Sequence, residues 1–181
     1  MEWVADVLHF WFDALTPKDW FSGSADVDEL IRARFAALRE RVKADPPAAD
    51  ALDADGFLAT ILVFDQFSRN LFRGRAEAFA TDALALDYAT HAHARGLDAG
   101  MASAHRHFLA MPFMHAEDLA SQDRSVALFT GLGDADLLGY ALAHRDLIAR
   151  FGRFPARNAA LGRASTPQER DYLDELKKAP L

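Results

Sequence analysis

Asp53–Leu71 reads DADGFLATILVFDQFSRNL, and this stretch decides the fold class of the chain. Leu58 and Leu62 recur at the spacing of one helix face, so the stretch predicts an amphipathic helix. Asp65 and Arg69 fall on the same apolar line, four residues apart, where their side chains can pair. A buried ion pair needs further polar partners. This helix therefore marks a candidate site as well as a fold element.

The composition of the whole chain indicates the same fold class. Its 181 residues include 36 alanines, whereas valine, isoleucine and threonine together number 15. Alanine is the best helix former and β-branched residues favour strands, so the balance predicts an all-α protein. The length is that of one ordinary domain. We therefore expect a single all-helical domain over residues 1–181.

Several functional classes are disfavoured by what the sequence lacks. The chain has no cysteine, which excludes disulfides and thiolate zinc sites. No signal peptide or membrane-length apolar stretch is visible, so we expect a cytoplasmic protein without a membrane partner. The net charge of −7 disfavours non-specific binding to nucleic acid. No recognised metal-ligand spacing or phosphate-binding glycine loop is present, and we expect no metal and no cofactor.

A second polar set interrupts an apolar line after Pro112. We expect a helix over about Pro112–Thr130, on which His115, Asp118 and Gln122 share one face. A carboxylate beside an imidazole orients the ring for proton transfer, so His115 and Asp118 are candidate catalytic residues. The apolar face of the next predicted helix likewise carries a single polar residue, His144.

The third polar set is an arginine-rich segment in an otherwise acidic chain. Residues 144–163 contain five arginines and one acidic residue, and Phe151–Asn158 reads FGRFPARN. The planar fork of arginine suits bidentate contacts with carboxylate or phosphate. Arg153, Arg157 and Asn158 are therefore candidates for binding an anionic group.

Three segments carry a resemblance to a known family: Asp65–Asn70 (DQFSRN), Met111–Asp118 (MPFMHAED) and Phe151–Asn158. They resemble bacterial domain-of-unknown-function family 924 over nearly the whole chain. The resemblance implies an all-helical fold similar to the tetratricopeptide-like superhelix, with antiparallel helix pairs and a concave face. It implies no particular reaction. Ser68 stands where the family pattern commonly has proline, and Ala156 where it commonly has histidine.

Three functions remain open on these observations. The first is the binding of a small anionic molecule or peptide carboxylate in a polar pocket. Its expected ligand-binding residues are Asp65, Arg69, Gln122, His144, Arg153, Arg157 and Asn158. The second is a hydrolase or lyase with His115 and Asp118 as the acid–base pair and an arginine as oxyanion stabiliser. The third is a structural network in which buried polar groups satisfy one another. The sequence indicates no particular oligomeric state.

Overall fold

The computed structural model describes residues 1–178, and every regular element in that range is helical, which confirms the all-α class. The α-helices are α1 (Glu2–His9), α2 (Pro17–Trp20), α3 (Ala25–Ala44), α4 (Ala54–Ile61), α5 (Ser68–Leu71), α6 (Asp82–Ala94), α7 (Ser103–His115), α8 (Leu119–Thr130), α9 (Ala135–Phe151) and α10 (Pro167–Lys178). Short 3₁₀ turns lie at Ala49–Ala51, Ala76–Ala78 and Pro155–Arg157, and π-helical segments lie at Phe10–Ala14 and Leu62–Phe67. The predicted tetratricopeptide-like superhelix stays a prediction.

The centre of the molecule is the helix that the opening sequence stretch predicts. Residues 56–68 are all buried, and α1, α3, α6 and α7 pack around them. A helix that is apolar on most of its circumference is stable only when it is enclosed in this way. It begins as expected, because the Asp53 side chain accepts a hydrogen bond from the Gly56 amide at 2.8 Å.

This central helix is not regular along its length. Between α4 and α5, Leu62–Phe67 winds as a π-helix. A π-turn makes i→i+5 hydrogen bonds and inserts an extra residue, and such turns often occur at functional sites. Asp65 and Gln66 both lie in this segment. The expected contact across the helix nevertheless forms, since Arg69 Nη1 lies 3.0 Å from Asp65 Oδ1.

The predicted helix over Pro112–Thr130 is wrong. Pro112 lies inside α7, the chain leaves the helical conformation at Ala116, and α8 begins at Leu119. Proline disfavours a helix interior because it lacks an N–H and clashes with the preceding turn. Here residues 107–114 are all buried, so packing outweighs that local preference.

The last two helices agree with the sequence. α9 begins after Asp134, which caps it, and ends at Gly152, whose φ of 69° is the left-handed conformation that glycine adopts at helix ends. α10 begins with a capping box, in which the backbone amides of Thr166 and Glu169 each donate to the side chain of the other residue. In residues 1–178, no helix is both long enough and apolar enough to cross a bilayer.

Candidate functional site

Two neighbouring cavities lie between the central helix, α7 and α9. The larger has a volume of about 400 Å³ and the smaller about 330 Å³. Both are lined by Arg69, His115 and His144, so these three side chains form a wall common to the two cavities. Cavities of this size are the usual sites for small molecules.

The buried partner of His115 is Asp65. The Nδ1 atom of His115 lies 2.7 Å from Asp65 Oδ1, and Asp65 is only 1% exposed. Burial raises the pKa of Asp65, but Arg69 and His115 outweigh it and hold that pKa well below its usual range. The carboxylate is therefore ionised and accepts a hydrogen bond from Nδ1, which fixes the proton of the neutral imidazole on that atom.

The other ring nitrogen of His115 is available to a ligand. Burial, with Arg69 second, lowers the pKa of His115, although Asp65 partly opposes this shift, so the ring is neutral at pH 7. Within residues 1–178 no group forms a hydrogen bond with its Nε2, and the residue lines both cavities. A neutral, oriented imidazole with a free Nε2 lone pair is the arrangement of a general base.

His144 presents a second imidazole at the same wall. Its Nδ1 lies 2.8 Å from the carbonyl oxygen of Tyr140, so Nδ1 carries the proton and Nε2 is an acceptor. Burial lowers the pKa of His144, and the ring is neutral at pH 7. The ring centroids of His115 and His144 are 6.4 Å apart. The common wall therefore carries two neutral bases.

The arginines beside these histidines are paired with internal carboxylates. Arg69 donates to both carboxylate oxygens of Asp82, at 3.0 and 3.1 Å, and to the backbone oxygen of Asp65 at 2.7 Å. Arg157 donates to Asp82 at 3.1 Å and to the backbone oxygen of His115 at 2.9 Å. Burial raises the pKa of Asp82, with Arg69 opposing the shift. Asp82, an acid that the sequence did not reveal, thus links the predicted Arg69 and Arg157. The predicted Asp65, His115 and His144 lie beside this pair.

Asp118 and Gln122 make contacts that stabilise helix ends, and neither lines the two cavities. Asp118 is the N-cap of α8, where its side chain accepts from the Ser121 amide at 2.8 Å. Gln122 donates to the backbone oxygens of Met114 and Ala116, at 2.7 and 2.8 Å, near the end of α7. Because a helix boundary separates Asp118 from His115, the predicted pair does not form and Asp65 takes that place.

Arg153 and Asn158 hold the C-terminal segment together, and neither lines a cavity. Arg153 forms a bidentate pair with Glu169, at 2.7 and 2.9 Å. Asn158 is 1% exposed and bonds Arg163 and Ser165 through its two side-chain atoms. These contacts fix the loop from which Arg157 reaches the site.

Two acidic residues were missed by sequence reasoning. Asp82 is the first residue of α6 and bridges Arg69 and Arg157. Glu117 accepts from Arg163 and from the Phe154 amide, the latter at 2.7 Å, and so attaches the C-terminal segment beside the smaller cavity. Glu117 lies within the MPFMHAED motif, which was the only signal available for it. Asp82 has no comparable signal, since its partners are 13 and 75 residues away.

Comparison with known proteins identifies relatives but no activity. The model of a family described as bacterial protein of unknown function (DUF924) matches residues 7–176. The solved structure of ATU0120 from Agrobacterium tumefaciens, a protein of unknown function, is 41% identical with a TM-score of 0.87. That alignment covers 96% of this chain and 98% of the Agrobacterium chain. No curated protein was found to match. The chain therefore belongs to the DUF924 family of bacterial proteins of unknown function.

Proposed function

We propose that the protein is an acid–base enzyme, a hydrolase or lyase, with His115 as its general base and Asp65 as the residue that orients it. The observation that carries the proposal is the position of His115. Its Nδ1 is held 2.7 Å from a buried carboxylate, while its Nε2 has no hydrogen-bond partner among residues 1–178 and the residue lines two cavities. A purely structural histidine would normally have both ring nitrogens satisfied.

The proposed chemical step begins at His115 Nε2. In a hydrolase, Nε2 takes a proton from water while the water oxygen bonds to the substrate carbonyl carbon and the C=O electron pair moves to oxygen. The tetrahedral species then expels its leaving group, which receives the proton back from the imidazolium. In a lyase, Nε2 takes a proton from carbon, the C–H electron pair forms a double bond to the adjacent carbon, and the leaving group departs from that carbon with its electron pair. The imidazolium then gives its proton to the leaving group. Asp65 stabilises the imidazolium, and the neighbouring Arg69 favours the negative charge that develops on the substrate.

The preferred ligand in this proposal is a small anionic molecule or a peptide carboxylate. Arg69 lines both cavities and Arg157 lines the smaller one, whereas no Asp or Glu of residues 1–178 lines either. Asp65 and Asp82, which pair with these arginines, do not themselves line either cavity. This arrangement favours negative charge in the ligand or in its transition state.

Two broader expectations belong to the same proposal. We propose that the helices pack as a tetratricopeptide-like superhelix, whose concave face would contain the cavities. We also propose that the protein acts in the cytoplasm, where a chain without cysteine needs no oxidative folding.

The experiment that tests the proposal compares His115→Asn with wild type. Asparagine can keep a donor near the Nδ1 position, facing Asp65, but has no counterpart of Nε2. A panel of small carbonyl acids would be followed by NMR in D₂O for exchange of their C–H protons, and a panel of esters for hydrolysis. We expect the variant to lose about 10²- to 10⁴-fold in rate on any substrate that reacts.

The matched control is His91→Asn. His91 is exposed and lines neither cavity. Its Nδ1 lies against the backbone oxygen of Asp87 in its own helix. Equal rates for His115→Asn and wild type, with both proteins folded, would refute His115 as the base.

A further inference from the structure

The larger cavity has one polar wall and two walls that combine apolar side chains with histidines. The polar wall is a stripe on the central helix and the turn that follows it, consisting of Gln66, Arg69, Asn70 and Arg73. The facing walls, from α7 and α9, contribute Met111, Met114 and Leu137 together with three histidines, and Phe129 comes from α8. The histidines are His107, His115 and His144. Aromatic and thioether side chains accommodate an apolar ligand body, while the polar groups fix its orientation.

The polar wall carries two cations and no acid. Arg73 donates through Nε and Nη2 to both oxygens of Asp28, at 2.8 and 2.7 Å, and leaves Nη1 without a hydrogen bond in the described part of the chain. Arg69 similarly leaves Nε without one. The Arg73 side chain is 51% exposed, so its free N–H groups are accessible at the cavity. An anionic group can therefore bind there without displacing Asp28.

Two exposed aromatic side chains lie at the same cavity. Phe21 is 59% exposed and Tyr140 is 58% exposed, and both contribute to its lining. Phe21 also stacks against His107, with ring centroids 5.9 Å apart. Exposed aromatic side chains beside a cavity supply apolar surface that a ligand can cover.

We infer that the ligand of the larger cavity is an amphiphilic organic anion, a molecule with an apolar body of aromatic size and one acidic group. Its body packs against Met111, Met114 and Tyr140, and its acidic group binds the free N–H groups of Arg69 and Arg73. This inference rests on the proposed function, because it names the substrate class of the cavity that His115 serves. It is separable from that function, since binding can be measured without any reaction.

The test is a calorimetric comparison of three probes that differ by one feature each. Phenylacetate has both the body and the acid, acetate lacks the body, and 2-phenylethanol lacks the charge. We expect acetate to bind roughly 100-fold more weakly than phenylacetate. We expect 2-phenylethanol to bind roughly 10-fold more weakly. Phenyl phosphate is the fourth probe, and the tighter of the two aromatic anions identifies the acidic group.

Two variants test which part of the cavity binds the acidic group of the ligand and which part binds its apolar body. Arg73→Gln should weaken phenylacetate binding roughly 10-fold and leave 2-phenylethanol unchanged. Tyr140→Ala should weaken both aromatic probes and leave acetate unchanged. The controls are Arg32→Gln and Leu30→Ala, which change an exposed arginine and an exposed leucine that line neither cavity.

The inference is overturned if acetate or 2-phenylethanol binds as tightly as phenylacetate. It is also overturned if Arg73→Gln has no more effect than Arg32→Gln. The two claims are read by different measurements, since calorimetry reports affinity without any reaction and the His115→Asn comparison reports a rate. Failure of the general-base role leaves these affinities intact, and failure of the ligand class leaves the His115→Asn rate comparison intact.

Discussion

Replacing Asp65 with asparagine should weaken His115 as a base. The two side chains are joined by a hydrogen bond of 2.7 Å from Nδ1 to Oδ1, and Asp65 raises the pKa of His115 against the effects of burial and Arg69. Asparagine has nearly the same shape, so the change removes the charge and leaves the packing in place. Without that charge, the protonated imidazole loses its stabilising partner. The pKa of His115 should therefore fall below its wild-type value.

The magnitude follows from the kind of hydrogen bond that is lost. A hydrogen bond to a charged group contributes about 1.5–3 kcal/mol, and a neutral one about 1 kcal/mol. The difference of about 0.5–2 kcal/mol corresponds to a fall of about 0.4–1.4 pKa units, since one unit is about 1.4 kcal/mol. Arg69 keeps its bidentate contact with Asp82, so its own charge remains compensated. We expect the free energy of unfolding to fall by about 1–3 kcal/mol.

The assay is an NMR titration of the His115 ring in wild type and Asp65→Asn. The control is Asp87→Asn, which removes an exposed carboxylate 3.5 Å from His91 Nδ1. This pair is exposed and lines neither cavity, so the substitution should leave the His115 titration at its wild-type position. A His115 pKa that is unchanged or higher in Asp65→Asn would refute the assignment of Asp65 as its orienting partner.

Three further predictions concern stability. Asp118→Ala should lower the free energy of unfolding, measured in urea, by about 1 kcal/mol, as the loss of a helix cap does. The His115 resonances should stay in place, and a displaced His115 spectrum would contradict the cap assignment. Gln122→Ala should cost about 1–3 kcal/mol because two backbone oxygens lose their donor, and an unchanged urea midpoint would argue against this. Burial lowers the pKa of His107 to about 4, so the folded state favours its neutral form. Below about pH 6.5 the unfolded chain binds a proton at His107 that the folded protein does not bind until about pH 4. The free energy of unfolding should therefore fall by up to about 3 kcal/mol as pH falls from about 6.5 to about 4. His107→Gln should flatten the stability profile in that window.

The parts of the site that sequence could predict are those fixed by a single helix. Asp65 and Arg69 are four residues apart, and helical geometry alone brings them into contact even though a π-turn intervenes. The caps at Asp53 and Thr166 likewise depend on residues three positions away. Local periodicity determines such contacts, and the sequence carries it directly.

The pairing of His115 could not be predicted in the same way. Asp65 lies 50 residues away, and its contact with His115 depends on how α7 packs against the central helix. The choice of Asp118 rested on Pro112 starting a helix, whereas α7 continues through that proline because its surroundings are buried. Asp118 was itself a helix-start signal, because aspartate is a preferred N-cap residue. In the structure it accepts a hydrogen bond from the Ser121 amide. Weighing that cap against the proline would have placed the helix boundary between His115 and Asp118.

The central claim is that His115 is a neutral base whose Nε2 faces an open cavity. The most direct measurement is the ¹⁵N spectrum of the His115 ring in wild-type protein at pH 7, which reports the protonation of each nitrogen. The account predicts a proton on Nδ1, held by Asp65, and none on Nε2. A proton on Nε2, or a ring protonated on both nitrogens, would contradict it.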